Sequence, residues 1–268
     1  MTDHLLRDLA PISAAGWEAV ESDVKARLAE YLAARKLVDF EGPHGWSYSA
    51  ANLGRTATVT ALAEGLVARQ RRVQPVVEVR APFGLSRDEL DDAERGAPDV
   101  DFPELDEAAR RIAVAENVAV FHGHGAGGIR GVTEASSHDA IVLPEAAERY
   151  PTAVARAVTM LRDAGIGGPY GLAIAPAVYT RIIETTEHGG YPLLDHLHQI
   201  LEGPVVWAPG AECGVVLSLR GGDFVLDVGE DLSIGYVSHD ADTVQLYLEE
   251  SFTFRVLEPD AAVPLRSG

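Results

Sequence analysis

The chain has 268 residues, 47 % hydrophobic and 24 % charged, a balance that excludes a disordered or fibrous polypeptide and allows one large domain or two small ones. Lysine and arginine number 22 against 41 acidic residues, a formal net charge of −19. Such a chain does not grip a phosphate backbone without a concentrated basic patch, so no nucleic acid is expected as a partner.

One cysteine, Cys213, excludes an internal disulfide and a thiolate metal cluster. No run of about eighteen apolar residues occurs to span a bilayer, so no membrane partner is expected. The start, Met1-Thr2-Asp3-His4-Leu5-Leu6-Arg7-Asp8, lacks the basic-then-apolar pattern of a secretory signal, and a cytoplasmic, reducing location is the default expectation.

The first forty residues read as helical. Trp17, Val20, Val24, Leu28 and Tyr31 recur at three- and four-residue steps and make one apolar stripe, preceded by a loose cap signal at Ser13. Glu41-Gly42-Pro43-His44-Gly45-Trp46 is turn-rich. Alternation over Thr56–Leu62 and again over Pro75–Arg80 predicts two strands, joined by a long polar connection through Gly65–Arg72. An extended hairpin with so few large apolar side chains is not stable alone in water and needs a neighbour.

An acid-dense stretch follows from Ser86, and helical spacing then runs from Leu105 to Val120 through Ala109, Ile112, Ala113 and Glu116. Gly123–Gly131 interrupts it. Pro151 opens another helix that Gly165 ends. Two shorter helices are predicted over about 176–186 and 192–202, separated by Glu187-His188-Gly189-Gly190-Tyr191-Pro192. The last third reads as strand: Val205–Ala208, Val215–Leu219, Phe224–Val228, Ser233–Val237 and Val244–Leu257. Helices and strands in separate stretches define an α+β class.

Charge is unevenly spread. Arg55–Arg80 holds five arginines and two acids, whereas Ser86–Glu116 holds eleven acids and four arginines. These are either solvated faces or complementary surfaces of two copies.

No motif specifies catalysis or a metal. His122 and His124 lie in a glycine-rich loop. His196 and His198 lie on a helix, where residues two apart face different ways. No Gly-x-Ser-x-Gly elbow is present. Cys213 sits in an apolar stretch as a packed thiol. Gly123–Gly131 lacks the Gly-Lys-Ser/Thr ending of a phosphate loop.

Several stretches over nearly the full length resemble a known family. They are Arg7-Asp8-Leu9-Ala10-Pro11 with Trp17, Arg35-Lys36-Leu37-Val38-Asp39 before Gly42-Pro43, and Glu89-Leu90-Asp91-Asp92 with Glu94-Arg95-Gly96. Gly168-Pro169-Tyr170, Gly221-Gly222-Asp223-Phe224, Asp231-Leu232-Ser233-Ile234-Gly235-Tyr236 and Phe252-Thr253-Phe254 complete the set. The chain resembles the encapsulins, bacterial nanocompartment shell proteins also called linocin-like, with the actinobacterial type the nearest likeness.

The resemblance implies a tailed-phage major capsid fold. Its parts are an N-terminal helix and arm over 1–46 on the inner surface, an extended loop over 47–80, a peripheral domain over 81–135 with return strands in 223–268, and an axial domain over 136–222. It implies self-assembly into an icosahedral T=1 shell of about sixty copies. The shell would enclose a cargo enzyme, a dye-decolorising peroxidase or ferritin-like protein, through a short C-terminal targeting peptide.

By the same likeness, the peptide-docking groove comprises Val24, Leu28, Tyr31, Arg35 and Asp39 with Asp231, Leu232, Ile234 and Tyr236. A five-fold pore is lined by Glu184, Glu187, His188, Gly189, Gly190 and Tyr191. Arg55, Arg69, Arg71 and Arg72 make the inter-subunit contacts of the extended loop. Leu85-Ser86-Arg87-Asp88 carries no tryptophan where flavin-binding members have an aromatic, so no flavin or other cofactor is expected. Residues 47–80 hold no lysine, which excludes the Lys–Asn cross-links of some phage capsids. By the same reading, no scaffolding segment of the kind phage capsids carry is expected before the fold. A phage or prophage capsid protein packaging DNA is the alternative reading, and an enzyme a more distant one.

Overall fold

A computed structural model describes residues 4–186 and 190–268. In chain order it contains α1 (Ala14–Tyr31), β1 (Asp39–Glu41), β2 (Ala50–Val59), β3 (Ala68–Pro75), β4 (Val77–Ser86), α2 (Arg87–Arg95), α3 (Pro103–Phe121), α4 (Val132–Ala135), β5 (Ile141–Val142), α5 (Tyr150–Asp163), β6 (Tyr170–Ile174), α6 (Pro176–Glu184), α7 (Leu193–Leu201), β7 (Val205–Trp207), β8 (Gly214–Ser218), β9 (Phe224–Val228), β10 (Ser233–His239), β11 (Thr243–Val256) and β12 (Ala262–Arg266).

The strands form three sheets. In the first, the long strand β11 is the hub. It pairs with β4 on one side and with β10 and β9 on the other, and β1 adds to β9. The second runs β5-β12-β8-β6-β7. The third is β2 with β3 alone. Two apolar cores result. One is built by α1, α2 and the first half of α3 against the first sheet, through Val20, Val24, Leu28, Leu90, Leu105, Ile112, Ile234 and Leu248. The other is built by α5 and α7 against the second sheet, and it also takes in Phe121 from the end of α3 and Phe252 and Phe254 from β11.

The apolar stripe of α1 behaves as its spacing demands. Val20, Val24 and Leu28 turn inward, and Ser13 caps the helix by accepting a bond from the Gly16 N–H at 3.1 Å. Four expected strands lie within two residues of their positions, and Phe224–Val228 matches outright.

The structure corrects the region 50–86. The polar connection expected over 65–72 is largely a strand, β3, and it pairs with β2 from Ala50↔Pro75 to Val59↔Ala68. The stretch read as the second hairpin strand belongs to β4, whose partner is β11. Within the segment 47–80, the paired strands of the hairpin run from 50 to 75. Both of its faces meet solvent along most of their length, so no apolar-in, polar-out alternation marks Arg69-Gln70-Arg71-Arg72 as strand.

Other differences have similar causes. The acid-dense stretch contains α2, which buries only Leu90 and so shows no stripe. The short strands β1, β5, β6 and β12 were not anticipated. The return strands expected together over 223–268 divide between the sheets, because β12 pairs with β8 and β5.

Asn117 is fully buried on α3 and satisfies three backbone groups. Its Oδ1 accepts from the Ala34 N–H at 2.9 Å, and its Nδ2 donates to the Tyr31 and Pro209 carbonyls at 2.8 and 2.9 Å. Asn117→Leu leaves those three groups without partners and should lower unfolding stability by about 3 kcal/mol, read by chemical denaturation.

Candidate docking groove and assembly surfaces

The groove residues expected from α1 and β10 do come together. Val24 and Leu28 of α1 and Ile234 of β10 belong to one cluster, with Tyr31, Leu232 and Tyr236 packed at its edge. Val24, Leu28 and Ile234 are 7 %, 8 % and 4 % exposed, so they form the floor as part of the core, and Tyr31, Leu232 and Tyr236 form the accessible margin. The Tyr31 ring leans on Trp207 at 5.6 Å, and the Tyr236 hydroxyl meets His239 Nδ1 at 2.6 Å. Apolar floor and aromatic margin suit an aliphatic side chain flanked by polar contacts.

Arg35 lies deeper than a rim residue. Its Nε donates to Glu116 Oε2 at 2.7 Å, Nη1 to Asp231 Oδ1 at 2.8 Å and Nη2 to Glu250 Oε2 at 3.0 Å. Glu116 and Glu250 are fully buried. One guanidinium thus faces three carboxylates from α3, β11 and the β9–β10 loop. Asp231 is partly exposed, so the costly charges are those of the two buried glutamates, which share one cation out of water.

Desolvation raises Glu116, and raises Glu250 well above the usual glutamate value, with the charge of Glu116 adding to the effect on Glu250. Glu116 Oε1 and Glu250 Oε1 have no other hydrogen-bond partner, and the raised values of both carboxyls favour one proton shared by the pair. Burial alone would lower Arg35, but the surrounding carboxylates outweigh it and keep the guanidinium charged.

Asp39 sits apart. Its Oδ2 accepts from the Gly222 N–H, and it lines a small cavity with Lys36, Ser218 and Asp223. Asp39 therefore serves the turn before β9, away from the floor at Ile234.

The hairpin presents its arginines without ion-pair partners among the described residues. Arg55 lies directly across from Arg72, Thr56 from Arg71 and Thr58 from Arg69. Like charges facing each other on adjacent strands destabilise the pair. The tip is apolar and open, with Leu62 94 %, Leu66 58 % and Val67 77 % exposed.

Glu184 closes α6, and Thr186 bridges to Pro192. The Tyr191 hydroxyl accepts from Gln199 Nε2 at 2.8 Å, and Gly190 has a φ of 81°. Glu187, His188 and Gly189 lie outside the described residues.

The histidines that invited a metal reading serve the backbone. His122 Nε2 accepts from the Glu212 N–H at 3.0 Å, which leaves the proton on Nδ1 to face Thr133 Oγ1 at 3.1 Å; burial lowers its basicity. His198 Nδ1 donates to the Gly203 carbonyl at 3.0 Å. Among the described residues no group of three or more His, Cys, Asp or Glu is placed to hold a metal ion, and no helix is long and apolar enough to cross a membrane. Cys213 is buried, which pushes its thiol up.

Sequence reasoning missed Glu116, Asn117 and Glu250. The available signal was a glutamate inside an apolar register, at Glu116 between Ile112 and Val120 and at Glu250 inside the strand of β11.

Solved structures place this architecture. A virus-like particle from Pyrococcus furiosus superimposes with a TM-score of 0.62, covering 93 % of this chain and 99 % of its own at 19 % identity. The protein of Mycobacterium phage Ogopogo does so at 0.55, covering 89 % and 92 % at 16 % identity. The fold is that of tailed-phage major capsid proteins, in the α+β class.

Sequence relatives then narrow the class. A family described as "Encapsulating protein for peroxidase" matches residues 1–253. The type 1 encapsulin shell protein of Rhodospirillum rubrum is 50 % identical, covering 98 % of this chain and 96 % of that protein. That of Rhodococcus erythropolis is 45 % identical, covering 98 % and 99 %. The chain belongs to the type 1 encapsulin shell proteins. The phage-capsid alternative rests on fold likeness alone and is not favoured.

Two predictions follow from the Arg35 cluster. Arg35→Ala leaves buried carboxylates unpaired and should cost about 3–5 kcal/mol of stability, read by denaturant unfolding. For Glu250 the folded value lies above the unfolded value of about 4.5, so folded chains retain a proton that unfolded chains release. Its contribution is complete below 4.5 and is lost as the pH rises through the folded value. Glu250→Gln should flatten this alkaline loss in thermal unfolding scans, and an unchanged pH profile would reject the shared proton.

Proposed function

We propose that the chain is the wall subunit of a closed icosahedral nanocompartment that encloses a cargo enzyme through that enzyme's C-terminal targeting peptide. The observation that carries this reading is the free hairpin. Its two strands pair only with each other, Arg55 faces Arg72 across them, and its tip exposes Leu62, Leu66 and Val67. A second copy supplies what is lacking: apolar cover for the tip and acidic partners for the arginines.

The acidic partner surface is at hand on the chain itself. Asp88, Glu89, Asp91, Asp92 and Glu94 stud α2, and Glu104, Asp106 and Glu107 begin α3. A basic arm and an acidic face on every subunit favour a head-to-tail contact that repeats around a ring and closes. The copy number proposed is about sixty, in T=1 symmetry.

In this arrangement residues 1–46 lie on the inner surface, the hairpin reaches a neighbour, 81–135 with most of 223–268 forms the peripheral part, and 136–222 forms the axial part. The loop with Glu184, Gly190 and Tyr191 rings a five-fold opening, and a ring of carboxylates there favours cations. The site is cytoplasmic.

The cargo peptide seats an aliphatic side chain over Val24, Leu28 and Ile234, with Tyr31, Leu232, Tyr236 and Asp231 at its margin. A peroxidase or a ferritin-like protein is the proposed cargo class. The description of the family as encapsulating proteins for peroxidase supports the first. A Pyrococcus furiosus relative named as a ferritin-like-encapsulin shell fusion protein, 28 % identical over 100 residues, supports the second. Catalysis is left to the cargo; the proteins matched at 41–50 % identity are named as shell proteins.

Reversing Arg69, Arg71 and Arg72 to glutamate should reduce the assembled fraction several-fold at low salt, with partial recovery at high salt as repulsion is screened. Size-exclusion chromatography and negative-stain microscopy read this, and equal assembly of both proteins at every salt concentration removes the charge argument. Ile234→Asp buries a charge in the groove floor. Among the shells that still assemble, it should abolish retention of the co-expressed native cargo; full retention in those shells would dismiss the groove.

A further inference from the structure

β10 has one strand neighbour, β11, and its other edge faces outward along the groove. That edge is not bare. The Tyr236 N–H donates to the Leu5 carbonyl at 2.8 Å, and Leu5 is 8 % exposed. The residues around Leu5 wrap the edge. On one face of the sheet, His4 stacks on Trp46 at 4.6 Å with 14° between the rings, and its Nε2 lies 3.3 Å from Glu249. On the other face, Arg7 pairs with Glu21 and covers the Trp17 ring of α1 at 4.1 Å.

The turn between these anchors puts Leu6 in the left-handed region at φ 53°, a conformation that costs a non-glycine residue free energy. Beyond it, Leu6 and Leu9 are left 39 % and 63 % exposed. The segment thus combines the Tyr236–Leu5 edge bond, a buried leucine and polar anchors with a strained link and unburied apolar side chains. That is the profile of a low-stability attachment.

An open strand edge beside an apolar floor accepts an extended peptide by adding a strand, with backbone bonds for affinity and a side-chain pocket for selection. Here the chain's own residues fill that position. We propose that residues 4–9 are a displaceable strap over the β10 edge, and that the edge beneath it binds a short extended peptide carrying leucine or isoleucine in the place of Leu5. The proposal deepens the docking reading and rests on it only for the identity of the natural peptide. Its consequence is that loading competes with an intramolecular ligand, so cargo peptides are selected against the effective concentration of the strap.

The test uses full-length shells and the chain's own segment as probe. A fluorescent reporter with residues 4–12 of this chain fused to its C-terminus is co-expressed with the wild-type chain, or with a His4→Ala, Leu5→Asp chain whose strap is weakened. Shells are purified and the retained fluorescence measured. The weakened-strap shell should retain at least ten-fold more reporter, and a reporter tag with Leu5→Asp should be lost. Equal retention by both shells, or none by the weakened-strap shell, overturns the proposal.

Hydrogen exchange on unmodified shells gives a second reading that needs no variant. The Tyr236 amide should exchange at least a hundred-fold faster than that of Leu248, which pairs inside the sheet with Ile234; equal protection means that the strap does not open. The cargo assignment fails by a different result, retention of native cargo by Ile234→Asp shells.

Discussion

The joint between Arg35 and its three carboxylates holds the molecule together at the level where its two apolar cores meet. Along α3, Leu105 through Ala113 belong to the core under the first sheet, whereas Ala119 through Phe121 belong to the other. The N-terminal segment makes the same transition, with Leu28 in one core and Ala33, Ala34 and Leu37 in the other. Both cross between cores at the same height, and there the Arg35–Glu116 pair and the three bonds of Asn117 fasten one to the other. Glu250 adds the central strand and Asp231 the loop leading into β10. Polar groups at this position set a register that apolar packing by itself would leave free to slide.

This constraint shapes the groove as well. The Arg35 end of the N-terminal segment is locked to the same β9–β10 loop that launches β10. The spacing between α1 and Ile234 is therefore a consequence of the buried ion cluster. Val24, Leu28 and Ile234 are held rigidly because they are core, whereas Tyr31, Leu232 and Tyr236 pack only at its edge. The hairpin is the opposite case. It has almost no contacts that fix it, and its charge pattern opposes its own pairing. Assembly supplies the free energy that its sequence withholds, so the extended arm and the closed shell are stabilised together.

Legibility differed sharply between these parts. The stripe of α1, the helix from about 105 to 120 and the strands of the last third could be read because each buries one face, and burial writes a period into the residues. The β2–β3 hairpin carries no such period, and β3 was read as a connection. The residues assigned to a docking groove came from a family likeness, and the structure places Val24, Leu28, Tyr31, Leu232, Ile234 and Tyr236 in one cluster while Asp39 lies at the turn before β9. Glu116, Asn117 and Glu250 went unread because a buried polar residue is recognisable only with its partners, and those lie 81 to 215 residues away.

Composition, charge and periodicity alone determined that this is an acidic α+β protein with an arm too poor in apolar side chains to stand by itself. The motifs spread along the chain determined its family. Only the tertiary structure decided that Arg35 fastens α3, β11 and the β9–β10 loop together, that the polar stretch after Gly65 is largely a strand, and that the N-terminal residues lie across the β10 edge. Burial leaves a local pattern in sequence, whereas a hydrogen bond or ion pair between distant residues leaves none until the chain has folded.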